Sequence, residues 1–376
     1  MSRRPDTVRI ESAGVVFRRV ESCEIVNDIL GVSEAVMRVG DAASLAGLSG
    51  DIAPASPFRV LVNGRPRFTG RVDIDAGDIS SSGAFIDLTL RTRLADARYA
   101  SATPGQQVEK ITIRDLVLNA YKIIGLGASD FKFGEFADRD VMTGKASGAK
   151  AELDLDKITV QQARVQPPET VFEFVERHLK RHRSIHWDGP SGEVLVGRPD
   201  DTQMPLYRLQ MVRGSRSRGN NIIAAKPLRD WSEVASDVTA YGQTFGGDYT
   251  RSKIKAVVLD DEVSLRAAQT GHFFRPVTLH EQIAKDLDAA RRSAKRGLSA
   301  RNRRKAALEV TVDGWSYWNG VEQIPWANNT TADVELETEI GGVMGRWLIV
   351  RTAMRRDADE GDTTTLTLIG QGGWTL

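Results

Sequence analysis

His178, His182 and His186 stand four residues apart, and on one continuous helix that spacing would put three imidazoles on a single face, as a zinc site requires. The local sequence argues for a break instead. Arg183-Ser184 and the β-prone Ile185-His186-Trp187 end the helix before His186. His178 falls on the apolar stripe Val171, Phe174, Val175 and Leu179, where a core histidine sits. Asp154, Asp156 and Asp200-Asp201 are of the right type for the paired acids of a hydrolase, but no neighbouring pattern marks one of them as buried or perturbed. A Gly-x-Ser-x-Gly elbow, a phosphate loop and a His-Glu-x-x-His helix are absent from the sequence. The expectation is a protein with no catalytic residue, no metal and no cofactor.

Two features point to binding rather than catalysis. Between Lys285 and Lys305 the chain carries Arg291, Arg292, Lys295, Arg296, Arg301, Arg303, Arg304 and Lys305 against Asp286 and Asp288. A charge run on a helix is most often a solvated face; the alternatives are a subunit contact or a surface facing nucleic-acid phosphates. No aromatics are interleaved for base stacking, so sequence-specific nucleic-acid binding is not expected. The second feature is Trp315-Ser316-Tyr317-Trp318, with Trp326 close behind. It could be a sugar platform, but Trp and Tyr serve cores and subunit interfaces as well, and that reading is preferred. The candidate subunit or partner interface is therefore Arg291, Arg292, Lys295, Arg296, Arg303, Arg304, Trp315 and Trp318.

The elements that must position these residues are mostly strands. From Val8 to Leu90 short alternating segments are separated by turn formers, among them Asn63-Gly64, a type I′ hairpin signal. Thr112-Ile113-Arg114-Asp115 has a capping-box form and opens a helix that stops at Gly125; a second helix opens at Pro168-Glu169 and is followed by the hairpin Ile185–Trp187 and Val194–Val196. Strands return from Tyr207, interrupted by a long basic helix over 283–307. Gly70-Arg71-Val72-Asp73-Ile74, leading to Leu88-Thr89-Leu90, is echoed by Gly345-Arg346-Trp347-Leu348-Ile349, leading to Leu366-Thr367-Leu368; a true echo means two similar β-barrels in one chain.

Composition bounds the class. The 376 residues are 41% hydrophobic and 27% charged, enough for two or three globular domains, and 51 basic against 50 acidic residues leave a net charge of +1. There is no global pull toward nucleic acid or an anionic membrane. The single Cys23 rules out an intrachain disulfide and fits a reducing compartment. No apolar run approaches the ~18 residues of a membrane span, and the N-terminal stretch lacks the apolar core of a signal peptide.

The order of segments resembles the baseplate hub proteins of contractile-tailed bacteriophages, of the Mu-like hub and late-control type, with a relation to the hub half of type VI secretion spike proteins. The resemblance is carried by Leu61-Val62-Asn63-Gly64 through Phe68-Thr69-Gly70-Arg71-Val72-Asp73 and by Pro168–Arg177 followed by Trp187-Asp188-Gly189. It continues through Ala289–Lys305, Val310-Thr311-Val312-Asp313-Gly314-Trp315 and Gly361–Leu368, in order along nearly the whole chain. It implies an α+β, mainly β fold: two tail-tube-like β-barrel domains, an α/β module between them, and the long basic helix in the C-terminal part. The corresponding division is 1–104 for the first barrel, with part of 205–245 returning to it, 105–203 for the module, and 204–376 for the second barrel with the inserted helix 283–307. The implied function is a structural baseplate hub, a homotrimer joining the six-fold tail tube to the three-fold spike. Its partners would be the central spike as a separate protein, the tail tube or tube-initiator protein, other baseplate proteins and the tape measure. Genomic DNA would only pass through the channel, without membrane insertion. The place would be the virion's tail baseplate, assembled in the bacterial host cytoplasm. Alternatives are a hub-like component of a type VI or extracellular contractile injection machine, and a baseplate cell-wall hydrolase with acids drawn from 130–203.

Overall fold

In the computed structural model of the chain, the described residues are 5–12, 15–17, 20–40, 55–80, 83–103, 108–134, 155, 158–182, 184–199, 201–213, 219–243, 253–271, 274–281, 286–337, 342–357 and 361–370. The chain divides into two compact units, Met1–Ala225 with Val310–Leu368, and Lys226–Glu309 with Ile369–Leu376.

The larger unit begins with β1 (Val8–Ser12), β2 (Val15–Phe17), β3 (Val20–Asp28), β4 (Glu34–Val39), β5 (Pro57–Val62), β6 (Arg65–Ser80) and β7 (Gly83–Arg91). The strict alternation read in the sequence becomes one buried face. Ala35, Met37 and Val39 on β4, Phe58, Val60 and Val62 on β5, and Leu88 and Leu90 on β7 all point inward. The β5–β6 turn is Asn63-Gly64 with φ of 51° and 76°, as a type I′ turn requires.

An α/β module follows, with α1 (Arg93–Tyr99), β8 (Val108–Thr112), α2 (Ile113–Tyr121), β9 (Phe131–Phe133), β10 (Thr159–Ala163), α3 (Val171–Arg181), β11 (Ile185–Asp188) and β12 (Val194–Gly197). The Thr112 hydroxyl accepts from the Asp115 N–H at 3.1 Å and starts α2. Helix α3 begins three residues later than Pro168-Glu169 suggests, because Thr170 and Glu173 form the capping box and Glu169 is drawn into an ion pair with Arg177 at 2.6 Å. Leu116, Val117, Ala120 and Tyr121 of α2 share a core with Val171, Phe174, Val175 and Leu179 of α3.

Next come β13 (Tyr207–Met211), β14 (Ile222–Leu228), β15 (Asp237–Gln243), β16 (Lys253–Leu259), α4 (Asp261–Thr270), β17 (Pro276–Glu281) and α5 (Leu287–Asn302). The chain closes with β18 (Ala307–Asp313), β19 (Ser316–Trp318), β20 (Gln323–Pro325), β21 (Thr330–Leu336), β22 (Val343–Asp357) and β23 (Gly361–Gly370). The fold is α+β and mainly β.

Thirteen strands form one sheet in the order β14-β18-β23-β22-β3-β4-β7-β6-β5-β1-β2, with β21 also on β22 and β13 on β21. Two sets of six strands lie within it. The N-terminal set runs β3-β4-β7-β6-β5-β1, and the C-terminal set runs β14-β18-β23-β22-β21-β13. Numbered along the chain within each set, both read 2-3-6-5-4-1, so the echoed hairpins β6–β7 and β22–β23 hold the same two positions. The sets differ in the pairing of their first strand, antiparallel for β1 with β5 and parallel for β13 with β21. They also differ in what is inserted. The turn between β3 and β4 is five residues long in the first set, whereas residues 229–306 intervene between β14 and β18 in the second. No ladder among the described residues closes the sheet on itself.

The Asp6 carboxylate ties the outer turns of the two sets together. It accepts from the Trp315 N–H and the Asn63 amide at 2.7 and 2.8 Å and from the Ser316 hydroxyl, and Arg65 pairs with Glu322 at 2.9 Å. Asp6→Ala leaves the N–H of the fully buried Trp315 without its acceptor. It is expected to lower unfolding stability by about 1–3 kcal/mol, measured by urea denaturation, with the far-ultraviolet dichroism unchanged.

Candidate interaction site

The basic segment is shorter as a helix than the charge run. Asp286 caps α5 by accepting from the Ala289 N–H at 2.6 Å, and a 3₁₀ turn over Arg303–Ala306 replaces its last turn. One face is small. Ala290, Ser293, Ala294 and Ser299 are buried, and Ala290 and Ala294 pack with Val238, Ala240 and Ala256 of β15 and β16. A Cβ on Gly297 would sit 2.4 Å from Leu279 and 3.4 Å from Val238, so glycine allows this close approach.

The opposite face carries the charge. Arg291, Arg292 and Lys295 are exposed, with Arg291 3.9 Å from Asp288; Arg296 and Arg303 are half-buried, and the Arg304 side chain lies outside the described residues. Lys305 departs from this pattern, because it bonds Asp260 at 3.0 Å and Glu262 at 2.7 Å, while Asn302 bonds Asp260 and the Ala235 N–H. Burial pushes the Asp260 carboxyl up, but the Val263 N–H, Lys305 and Asn302 outweigh it and hold the group below its ordinary range. Lys305 is thus a fastening for the end of α5. In the acidic turn after β22, Asp357 pairs with Arg355 on its own strand at 3.3 Å, and Asp359 and Glu360 lie outside the described residues.

The aromatic cluster also divides. Trp315 is fully buried, its indole N–H donating to the Arg355 carbonyl at 2.9 Å with the Arg356 guanidinium over its ring. Trp318 is 37% exposed and lines a cleft of about 590 Å³ together with Tyr317, Trp326, Asn220, Asn221, Arg208 and Asp313. Tyr207, Tyr317 and Trp326 pack against one another edge-on or tilted, with centroids 4.7–5.8 Å apart.

Sequence reading missed Asn220 and Asn221. Their amides hydrogen-bond the free backbone edge of β13: Asn221 serves the Gln210 N–H and the Arg208 carbonyl, and Asn220 serves both polar groups of Val212. Two side chains therefore stand in for a neighbouring strand. An Asn-Asn pair after a glycine gives no periodic signal for this.

The histidines do not converge. His178 is on α3 against Phe174, His182 caps the end of that helix, and His186 is on β11 between Phe172 and Tyr121. Among the described residues no three metal-ligating side chains cluster, and no helix is long and apolar enough to cross a membrane.

No family model matches the sequence, and no curated protein matches it. Solved structures do. The tail protein from Neisseria meningitidis MC58 superimposes with a TM-score of 0.75 at 19% identity, covering 99% of this chain and 98% of its own. The 43 kDa tail protein of prophage MuSo2 from Shewanella oneidensis gives 0.71 at 18%, covering 96% and 98%. This chain has the fold of phage tail proteins. A type VI secretion component of E. coli, described as similar to the T4 tail proteins gp27 and gp5, gives 0.55 at 9% identity, covering 97% of this chain and 77% of its own. The tail-protein fold thus spans both units, including the inserted 226–309 segment.

Buried groups of the α/β module set a pH dependence. Burial, helped by Arg181 and Arg177 at His178 and by Lys180 and Arg98 at His186, lowers both imidazoles to about 3. Folded values below the ordinary 6.5 mean that unfolding takes up protons. Stability is full above about pH 6.5 and falls as pH drops toward 3, by about 2 kcal/mol per ring at pH 5. Asp188 acts oppositely. Burial lifts its carboxyl to about 6 against hydrogen bonds from Ser33 and Thr92, so its contribution is present below about pH 4 and is lost as pH rises through 6. The urea midpoint should therefore fall between pH 7.5 and 5, and the fall should shrink in the double variant His178→Leu, His186→Leu.

Proposed function

We propose that this chain is the structural hub of a contractile phage tail, a homotrimeric adaptor between the six-fold tail tube and the three-fold spike. The observation that carries the reading is the repeated 2-3-6-5-4-1 strand order within one chain. Three copies of a chain that holds two equivalent strand sets present six of them. A partner with six-fold symmetry then meets equivalent surfaces, while a three-fold partner meets the insertions that distinguish the sets. The full-length likeness to phage tail proteins supports a place in the tail. The division proposed for each chain is a first barrel over 1–104, an α/β module over 105–203 and a second barrel over 204–376, each barrel a tail-tube-like domain. Assembly in the host cytoplasm and a baseplate location follow from the same reading, as do the spike, tail tube or tube initiator, tape measure and other baseplate proteins as partners.

The likeness to a type VI secretion component supports a second reading, the hub of another contractile injection machine. Neither reading requires chemistry. The basic face of α5 belongs to contacts with other subunits or baseplate proteins, because a channel wall with many unpaired Arg and Lys would hold passing DNA.

Light scattering on the purified chain, alone or with its spike, should give three copies, and labelled chain in intact particles should lie where tube meets spike. Reversing Arg291, Arg292, Lys295 and Arg296 to Glu should leave the melting temperature within a few degrees and impair trimerisation or baseplate assembly. Normal assembly with altered DNA ejection would place these residues at the lumen instead. Purified protein should not clear a peptidoglycan suspension.

A further inference from the structure

Inside the chain the two strand sets are joined by one seam. The second half of β22 pairs antiparallel with β3, from Arg351 opposite Asp28 to Asp357 opposite Ser22. In the set numbering this is strand 5 of one set on strand 2 of the other. The opposite pairing, strand 5 of the N-terminal set on strand 2 of the C-terminal set, would join β6 to β14, and it is not made within the chain: among the described residues β14 ends the sheet.

Among the described residues both candidate partners carry an open edge at the equivalent place. The β5–β6 ladder stops at Arg71, just as the β21–β22 ladder stops at Ile349. Beyond a bulge at Asp73, β6 continues to Ser80 with β7 as its one ladder partner among the described residues. In β22 the matching stretch is the one that pairs β3. The exposures differ accordingly. Cys23, Ile25 and Asn27 of the paired β3 are buried, whereas Ile74 on β6 is 51% exposed and Ile223 on β14 is 57% exposed. A bare strand edge with apolar side chains is a template for another strand.

Charge agrees. The inner seam sets Arg351 opposite Asp28 and Arg355 opposite Glu24. At the open edges the signs are exchanged, with Asp75 on β6 and Lys226 on β14, while Asp73 is held within its own chain by Arg91 at 2.7 Å.

We infer that these two edges pair with each other between copies of this chain: β6 of one copy, from Asp73 onward, lies antiparallel to Ile222–Lys226 of β14 in the next. The ladder ends at Pro227, which has no N–H to donate. Such a contact is heterologous, so it propagates until it closes into a ring in which inner and outer seams alternate. The seam rests on the reading of the chain as a self-associating hub, and that reading sets the ring at three copies.

The test is disulfide trapping in the full chain. Asp75→Cys is combined in turn with Ile223→Cys, Ala224→Cys and Ala225→Cys, since opposed residues on adjacent strands come within disulfide reach. Cys23 does not compete, being buried with its thiol pushed up to about 12 by burial. Mild oxidation should convert at least one double variant into a covalent trimer, with the single variants remaining uncrosslinked. A charge exchange is the second arm: Asp75→Lys alone should weaken association by up to about five-fold per seam, and adding Lys226→Asp should restore it. Trimers without a crosslink in any pair would overturn the seam and leave the hub reading standing. A covalent dimer from Asp75→Cys alone would overturn it in favour of an edge pairing with itself. A chain that stays monomeric and uncrosslinked at every concentration also overturns it, while the labelled position in the particle decides the hub reading separately.

Discussion

Seven backbone pairs between β22 and β3 hold the larger unit together. They join residues more than three hundred positions apart, so the loop-closure entropy of nearly the whole chain opposes this one ladder. What favours it is the burial on either side. Ile25 and Cys23 on β3 and Met354 on β22 are withdrawn from water, and Arg356 beside them is held by Asp362 at 2.7 Å. Every other strand of the sheet reaches the ladder through neighbours. Without it the two sets of six would be separate sheets, each with an additional open edge.

The repeated strand order explains why so little of the repeat survives in sequence. A strand set needs alternation, a buried face and turns in the right places, and many residues meet those needs. Only the hairpin β6–β7 and its counterpart β22–β23 keep a visible echo. The insertions obey no such constraint. The 229–306 insertion builds a three-stranded sheet of its own, with β15 between β16 and β17 under the small face of α5, at a position where the other set spends five residues on a turn. Its interior is mostly alanine and valine, which fits a helix held close to a sheet by Ala290, Ala294 and Gly297.

Buried polar groups place the remaining parts. Asp188 of the α/β module accepts from the Ser33 N–H at 2.7 Å, which fixes the module to the β3–β4 turn, and Thr69 donates to the Pro190 carbonyl. Asp6 does the same for the outer turns, and Asn220 with Asn221 for the edge of β13. Each of these is a side chain standing where a backbone partner is missing. Their common effect is to satisfy polar groups that an apolar contact would leave buried and unpaired.

The sequence by itself determined the class, most of the elements and some helix ends, because alternation, capping residues and Asn-Gly turns act over a few neighbouring positions. Thr112 with Asp115, Gly125, Asn63-Gly64 and the break before His186 were all legible in that way. The order of its segments also carried the resemblance to tail hubs. Tertiary structure alone decided that Trp315 turns inward while Trp318 faces the cleft, that Lys305 fastens α5 to Asp260 while Arg291 and Arg292 face solvent, and that both strand sets share one sheet. Those outcomes depend on which distant strand arrives alongside, and a strand's periodicity states that it has a buried face without naming what covers it.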